Sequence, residues 1–219
     1  MQIAIDGPAG AGKSTIAKRL AKESGYIYVD TGAMYRAMAL YLIRCGISPD
    51  DSVKIENACS DADISIEYVN GEQHVILNGE DVNGLIRTQE VSNMASVSSV
   101  NPKVREKLVD LQRKLAARTD VVMDGRDIGT VVLPDAEVKI YLTASTKVRA
   151  RRRYDELIQK GETCDIKTIE NEIAERDERD MNREISPLKQ AEDAVLVDTS
   201  DMDIDEVVEA IRDIVNKTE

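Results

Sequence analysis

Gly7-Pro8-Ala9-Gly10-Ala11-Gly12-Lys13-Ser14 stands close behind the N-terminus and fits the pattern G-x-x-x-x-G-K-[ST] at each fixed position. Ile3, Ala4 and Ile5 ahead of it read as a short buried strand. Behind it, residues 15–22 read as a helix with Ile16, Ala17 and Leu20 on one stripe. Strand, glycine loop and helix together form an anion cradle, because loop N–H groups and the positive end of the helix dipole converge on phosphate. Gly7, Gly10 and Gly12 permit a close backbone approach that a Cβ would block. Lys13 would reach the outer phosphates, and the Ser14 hydroxyl is suited to a magnesium ion. The stretch therefore implies a nucleoside triphosphate site.

A chain of 219 residues fits one large domain, or one domain carrying insertions. It has no Phe and no Trp, so aliphatic side chains and Met must fill the core. A formal charge of -12 argues against a general nucleic-acid or anionic-membrane partner. With Tyr the only aromatic, the composition also argues against a base-stacking platform. An acidic chain that binds an anion must concentrate its arginines, so arginine clusters are the feature to seek. Cys45, Cys59 and Cys164 are odd in number and lack metal-ligand spacing, so free thiols and a cytoplasmic location are expected. The first strand starts within three residues of Met1, so no secretory leader is expected. The longest apolar run, residues 37–43, is too short to span a bilayer. No long apolar seam is visible, and a monomer is expected.

Along the chain, residues 26–30 read as a second strand, followed by Thr31 as the cap of a helix running to about Cys45. Arg36 lies about one turn beyond that cap; it suits an anion at the strand end, and equally a solvated surface. Residues 64–69 and 74–77 flank Asn70-Gly71, a dipeptide that favours a two-residue hairpin turn, so an antiparallel insertion is predicted. His74, the sole histidine, falls in that hairpin, leaving no candidate for histidine-based acid–base chemistry. Ser96 lies on one helix, and Arg105 near the start of the next, which opens at Pro102 and keeps Val104, Leu108, Leu111 and Leu115 at helical spacing.

Residues 120–124 form the third core strand and deliver Asp124-Gly-Arg126-Asp127-Ile-Gly129 at its end. An aspartate after an apolar strand is the usual partner of a phosphate loop in the magnesium shell, which nominates Asp124. Residues 138–142 are the fourth strand. From Arg149 to Arg183 arginines are dense, with Arg176, Arg179 and Arg183 at i, i+3 and i+7 on one helical face. Read alone, that face serves equally as a solvated helix neutralised by its own carboxylates; beside a phosphate loop, guanidinium forks that bind phosphate gain weight. Residues 194–198 are the fifth strand, and a last helix begins at a D-x-x-E start on Asp203, with Ile204, Val207, Val208, Ile211 and Ile214 inward. The expected fold is α/β: a five-stranded parallel sheet with helices on both faces, plus the small antiparallel insertion.

A GTPase-type switch would need Asn-Lys-x-Asp after a late strand; the near match at Asn216 lacks the Asp. A regulatory or motor ATPase would usually be larger. A small-molecule kinase needs a second anionic site, which Arg36, Arg126 and Arg183 would build. At this point the chain resembles the bacterial cytidylate kinases of the nucleoside monophosphate kinase group. The resemblance is carried by GPAGAGKST (7–15), DTGAMYR (30–36), EDVNGLIRTQEVSNMAS (80–96), MDGRDIGTVVLPDA (123–136) and ERDERDMNREISPL (175–188).

It implies phosphoryl transfer from ATP, with Mg2+, to CMP or dCMP. ATP would sit on Gly7, Pro8, Ala9, Gly10, Ala11, Gly12, Lys13, Ser14 and Thr15, with Arg149 and Arg153 from a lid at about 149–165. Thr31, Arg36, Arg126 and Arg183 would hold the acceptor phosphate. Ser96, Arg105 and Asp127 would read the cytosine edge, and Arg176 and Asp180 the sugar hydroxyls. Lys13, Arg126, Arg153 and Arg183 would carry the catalytic charge, and Ser14 and Asp124 the metal. It also implies a core of residues 1–62 and 89–219, with 63–88 as an inserted monophosphate-binding subdomain.

Overall fold

The structure, a computed structural model, describes residues 1–218. The chain begins with β1 (Gln2–Asp6), α1 (Lys13–Ser24), β2 (Ile27–Asp30), α2 (Thr31–Arg44) and α3 (Ser52–Cys59). Three short strands follow, β3 (Ile64–Val69), β4 (Glu72–Leu77) and β5 (Glu80–Asp81), then α4 (Gln89–Ser98) and α5 (Pro102–Ala116). The remainder is β6 (Val121–Gly125), β7 (Val138–Thr143), α6 (Thr146–Gln159), α7 (Ile166–Asn182), β8 (Val195–Asp198) and α8 (Ile204–Asn216).

Five strands make the parallel sheet that the apolar runs predict, in the order β2–β6–β1–β7–β8. β1 pairs in parallel with both β6 and β7, and β7 with β8. The central strands are apolar on both faces because both are covered: Ile3, Ile5, Val122, Met123, Ile140 and Leu142 are buried. Met34, Met38 and Met123 are fully buried too, and occupy the volume that Phe or Trp would fill elsewhere. After β1 the chain builds one side of the sheet and then crosses to the other, so the direction of winding reverses at β1. Ligands of open α/β sheets bind at the carboxyl ends of the strands beside such a reversal, and that is where residues 7–14 lie.

The chain divides into two compact units, Met1–Tyr26 with Val121–Glu219, and Ile27–Asp120. In the first, α1 buries the predicted stripe of Ile16, Ala17 and Leu20. Truncating a buried leucine such as Leu20 to Ala costs about 2–5 kcal/mol. α8 opens with the predicted capping box, Asp203 and Glu206 each bonding the other's backbone N–H. Its inner face is Val207, Val208, Ile211 and Val215. Ile204, the first helical residue, stays outside that face and is 52% exposed.

In the second unit, β3 and β4 pair antiparallel across Asn70-Gly71, both residues having positive φ, as a two-residue turn with matching twist requires. β5 adds a third strand that the hairpin reading did not foresee. The cap of α2 is Asp30 rather than Thr31: the Asp30 carboxylate accepts from the Ala33 N–H at 2.8 Å, and Thr31 is already helical and buried. A carboxylate one residue earlier reaches the third helical amide as well as a hydroxyl would, and adds charge complementarity to the dipole.

Candidate functional site

The glycine loop is held open by contacts that only glycine allows. At Gly7 a Cβ would lie 1.9 Å from the Leu142 carbonyl oxygen, inside the backbone of β7. At Gly12, φ is 92°, and the left-handed turn there swings the loop into α1. Lys13 folds back and its Nζ donates to the Pro8 carbonyl oxygen at 2.7 Å, so the ammonium arches over the loop. It is 5% exposed, and burial, then the nearby Arg126 charge, pushes its pKa down to about 7. An arriving phosphate would oppose both effects.

The Ser14 hydroxyl donates to the Asp124 carboxylate at 2.9 Å, joining the start of α1 to the end of β6. These are hard oxygen donors, the kind magnesium takes when substrate phosphates and waters complete its shell. Among the described residues no group of three or more His, Cys, Asp or Glu side chains could hold a metal by itself. The Ser14 and Asp124 oxygens fit a magnesium ion whose remaining positions are filled by phosphate oxygens and waters.

Asp6 was not foreseen. It is 5% exposed at the end of β1 and accepts from the Ile128 and Gly129 N–H groups at 2.8 and 2.7 Å. Burial raises its pKa to about 6, partly offset by those two amides. Its position, an acidic residue closing an apolar strand, was the available signal; its partners more than a hundred residues away were not readable. The tie fixes the turn that presents Arg126 and Asp127.

Two arginines of the predicted phosphate set lie in this unit. Arg126 Nε donates to Asp180 at 2.9 Å, and Arg183 stands 3.7 Å from Asp127, with its Nε donating to the Ser186 carbonyl oxygen. Burial works to raise the Asp180 pKa, but Arg126, Arg176 and Arg183 outweigh it and hold the carboxyl below its usual range. α7 stops at Asn182, so Arg183 leaves the helix with extended backbone instead of extending the predicted face. Arg179 is exposed and Arg176 half-buried, which separates the three arginines that spacing alone had aligned.

The two lid arginines part company. Arg153 is exposed and pairs with Glu156 at 2.9 Å. Arg149 is buried and spends its donors inside the protein: Nε on the Ala144 carbonyl oxygen at 2.8 Å, and the fork on Asp177, Thr146 and the Ala9 carbonyl oxygen of the glycine loop.

The second unit holds the remaining predicted residues. Arg36 pairs with Asp30 at 3.1 Å. The Gln73 amide brackets Asp30, accepting from its N–H at 2.8 Å and donating to its carbonyl oxygen at 3.2 Å. Tyr68 donates to the Tyr28 carbonyl oxygen at 3.0 Å, so β3 and β4 are both tied to the end of β2. Arg105 is buried in the second turn of α5, its guanidinium 5.9 Å from the centre of the Tyr35 ring. Ser96 is half-buried on α4. His74 contacts Asp81 at 2.6 Å between neighbouring strands, a sheet-edge role consistent with its sequence position. No helix among the described residues is long and apolar enough to cross a membrane.

The family model described as cytidylate kinase matches residues 3–217. A cytidylate kinase of Ligilactobacillus salivarius is 51% identical over 217 residues, covering 99% of this chain and 97% of that protein. One from Caldicellulosiruptor bescii is 51% identical over the same length, covering 99% and 96%. Among solved structures, the shikimate kinase of Bacteroides thetaiotaomicron superposes with a TM-score of 0.53 at 12% identity, covering 99% of this chain and 98% of that one, a likeness of fold.

Proposed function

The chain belongs to the cytidylate kinase family, and from that premise we infer that it transfers the terminal phosphoryl group of ATP to CMP and dCMP, giving ADP and CDP or dCDP. The observation that carries the reading in the site itself is a second cationic set beside the phosphate loop: Arg126 and Arg183, each held by a carboxylate, in the unit that bears Lys13. A loop that only hydrolysed ATP would have no need of two further guanidinium groups, each paired with a carboxylate.

The acceptor phosphate is already ionised at neutral pH, so its oxygen attacks without a strong general base. Catalysis then reduces to holding donor and acceptor in line and neutralising the equatorial charge. Gly7 to Thr15 cradle the ATP phosphates, with Lys13 on the outer ones. Arg36, Arg126 and Arg183, assisted by Thr31, hold the acceptor phosphate. Ser96, Arg105 and Asp127 read the cytosine edge, and Arg176 and Asp180 bond the sugar. Arg153, exposed on α6, is the arginine of the 149–165 segment available to a nucleotide, while Arg149 acts through the loop it braces. Residues 63–88 serve as the monophosphate-binding insertion. Ser14 and Asp124 would hold Mg2+, which neutralises phosphate charge when bound. Water must be excluded from the closed site, or ATP would be hydrolysed instead of transferred. We place the enzyme in the cytoplasm as a monomer acting on free nucleotides.

The test is ADP release from ATP with CMP, dCMP, UMP, AMP or no acceptor. Rapid turnover with CMP and dCMP is expected, with slow release in the acceptor-free reaction. Release that ignores added monophosphate would mean a nucleotide-dependent binding module.

A further inference from the structure

The kinase reading leaves Asp177 without a role, although it is buried and fully engaged. Arg149, on α6, offers five N–H donors in a fixed fork. Two of them meet Asp177 of α7, at 3.1 Å to Oδ1 and 2.5 Å to Oδ2. Others reach Ala144, Thr146 and, at 3.0 Å, the carbonyl oxygen of Ala9. Arg149 is 4% and Asp177 8% exposed, so neither charge is solvated and each depends on the other. The Arg149 Cβ also lies 3.5 Å from where a Cβ of Gly10 would stand, so the side chain packs beneath the loop as well as bonding to it.

α7 is the helix that carries Arg176 and Asp180, immediately before and one turn after Asp177. Asp180 in turn holds Arg126. A single buried fork therefore ties the ATP cradle, through Ala9, to the helix that carries the proposed sugar ligands and, through Asp180, holds Arg126.

We propose that Arg149 and Asp177 are a positioning pair that sets the phosphate loop and α7 in mutual register, so that losing either impairs donor and acceptor binding together although neither side chain contacts a nucleotide. The proposal rests on the CMP kinase reading, which is checked first by CMP-dependent ADP release from the wild-type enzyme. Failure of that assay would count against the kinase reading, and ADP binding would still report on the loop.

The experiment measures dissociation constants for ADP and for CMP, together with kcat and both KM values. The variants are Asp177→Asn, Asp177→Glu, Arg149→Lys and the apolar double replacement Arg149→Met/Asp177→Leu. In Asp177→Asn the amide keeps the shape but loses the charge and one acceptor. Both dissociation constants are expected to weaken, and kcat/KM to fall by about 10–100-fold, the range for a lost supporting contact. The effects of the two positions should be strongly non-additive, the double variant losing no more than Arg149→Lys alone. Should Asp177→Asn fail to fold, Asp177→Glu and the double variant, which leaves no unpaired buried charge, carry the same readout. Loss of ADP affinity in Arg149→Lys with wild-type constants in Asp177→Asn would mean that Arg149 contacts the nucleotide itself, and would overturn the proposal. A lowered melting temperature with unchanged nucleotide constants would make the pair an ordinary fold contact, and would overturn it too.

Discussion

The Ser14 hydroxyl and the Asp124 carboxylate, 110 residues apart in the chain, meet at 2.9 Å. The contact places two hard oxygen donors, the proposed magnesium ligands, at the start of α1 and the end of β6. Asp124→Asn keeps the size of the side chain and removes its charge. We expect it to raise the magnesium concentration needed for half-maximal turnover by about tenfold or more, with less effect on CMP affinity. A magnesium titration at saturating ATP and CMP checks this, and an unchanged midpoint would remove Asp124 from the metal site.

Lys13, the residue proposed to bind the outer phosphates, is buried and bent over the loop onto Pro8. Lys13→Ala should lower turnover by about two to three orders of magnitude, the scale of losing one preorganised charge contact. The fold should survive, because alanine is a good helix former at this first position of α1. Near-normal turnover in a coupled ADP-release assay would refute the role.

Arg105, the residue proposed to read the base edge, is buried with its guanidinium 5.9 Å from the centre of the Tyr35 ring. Arg105→Met, which keeps the length of the side chain, should raise the KM for CMP and narrow the preference for CMP over UMP. Side-by-side kinetics with the two acceptors provide the measurement. Equal losses on both would assign Arg105 to packing.

Asp6 allows a stability prediction with a defined sign. Its pKa is raised from 3.8 to about 6, so between these values the folded protein holds more proton than the unfolded chain. Its contribution to stability is therefore complete below pH 3.8 and is lost as pH rises toward 6. The loss amounts to about 3 kcal/mol, at about 1.4 kcal/mol for each pH unit that separates the folded and unfolded pKa values. Asp6→Asn cannot titrate. The stability of the wild type minus that of the variant should shrink from about pH 4 to about pH 7 in urea unfolding, and a constant difference would contradict the assignment.

Gly7 has no room for a methyl group against the Leu142 carbonyl oxygen. Gly7→Ala should displace the loop or β7 and abolish ATP binding, whereas Gly25→Ala, where a Cβ meets nothing within 4 Å, should cost only the strain of its left-handed backbone. Nucleotide affinity by calorimetry in the two variants separates the cases.

What the sequence determined by itself is local and repetitive. The glycine loop and its flanking strand and helix, the Asn70-Gly71 turn, the Asp203 capping box and the apolar runs of the five core strands are each written within a few residues, because backbone propensity and side-chain periodicity act over that range. The family could also be recognised there, since its motifs are contiguous. Only the tertiary structure decided the pairings: Asp6 on the amides of Ile128 and Gly129, Gln73 around Asp30, and Arg149 divided between Asp177 and Ala9. The same holds for α7, whose arginine face the spacing predicted and whose end at Asn182 redirected Arg183. These contacts depend on which strand lies beside which, and on what burial leaves unsatisfied. A buried donor or acceptor must find a partner wherever the topology brings one, and no short-range pattern records its address.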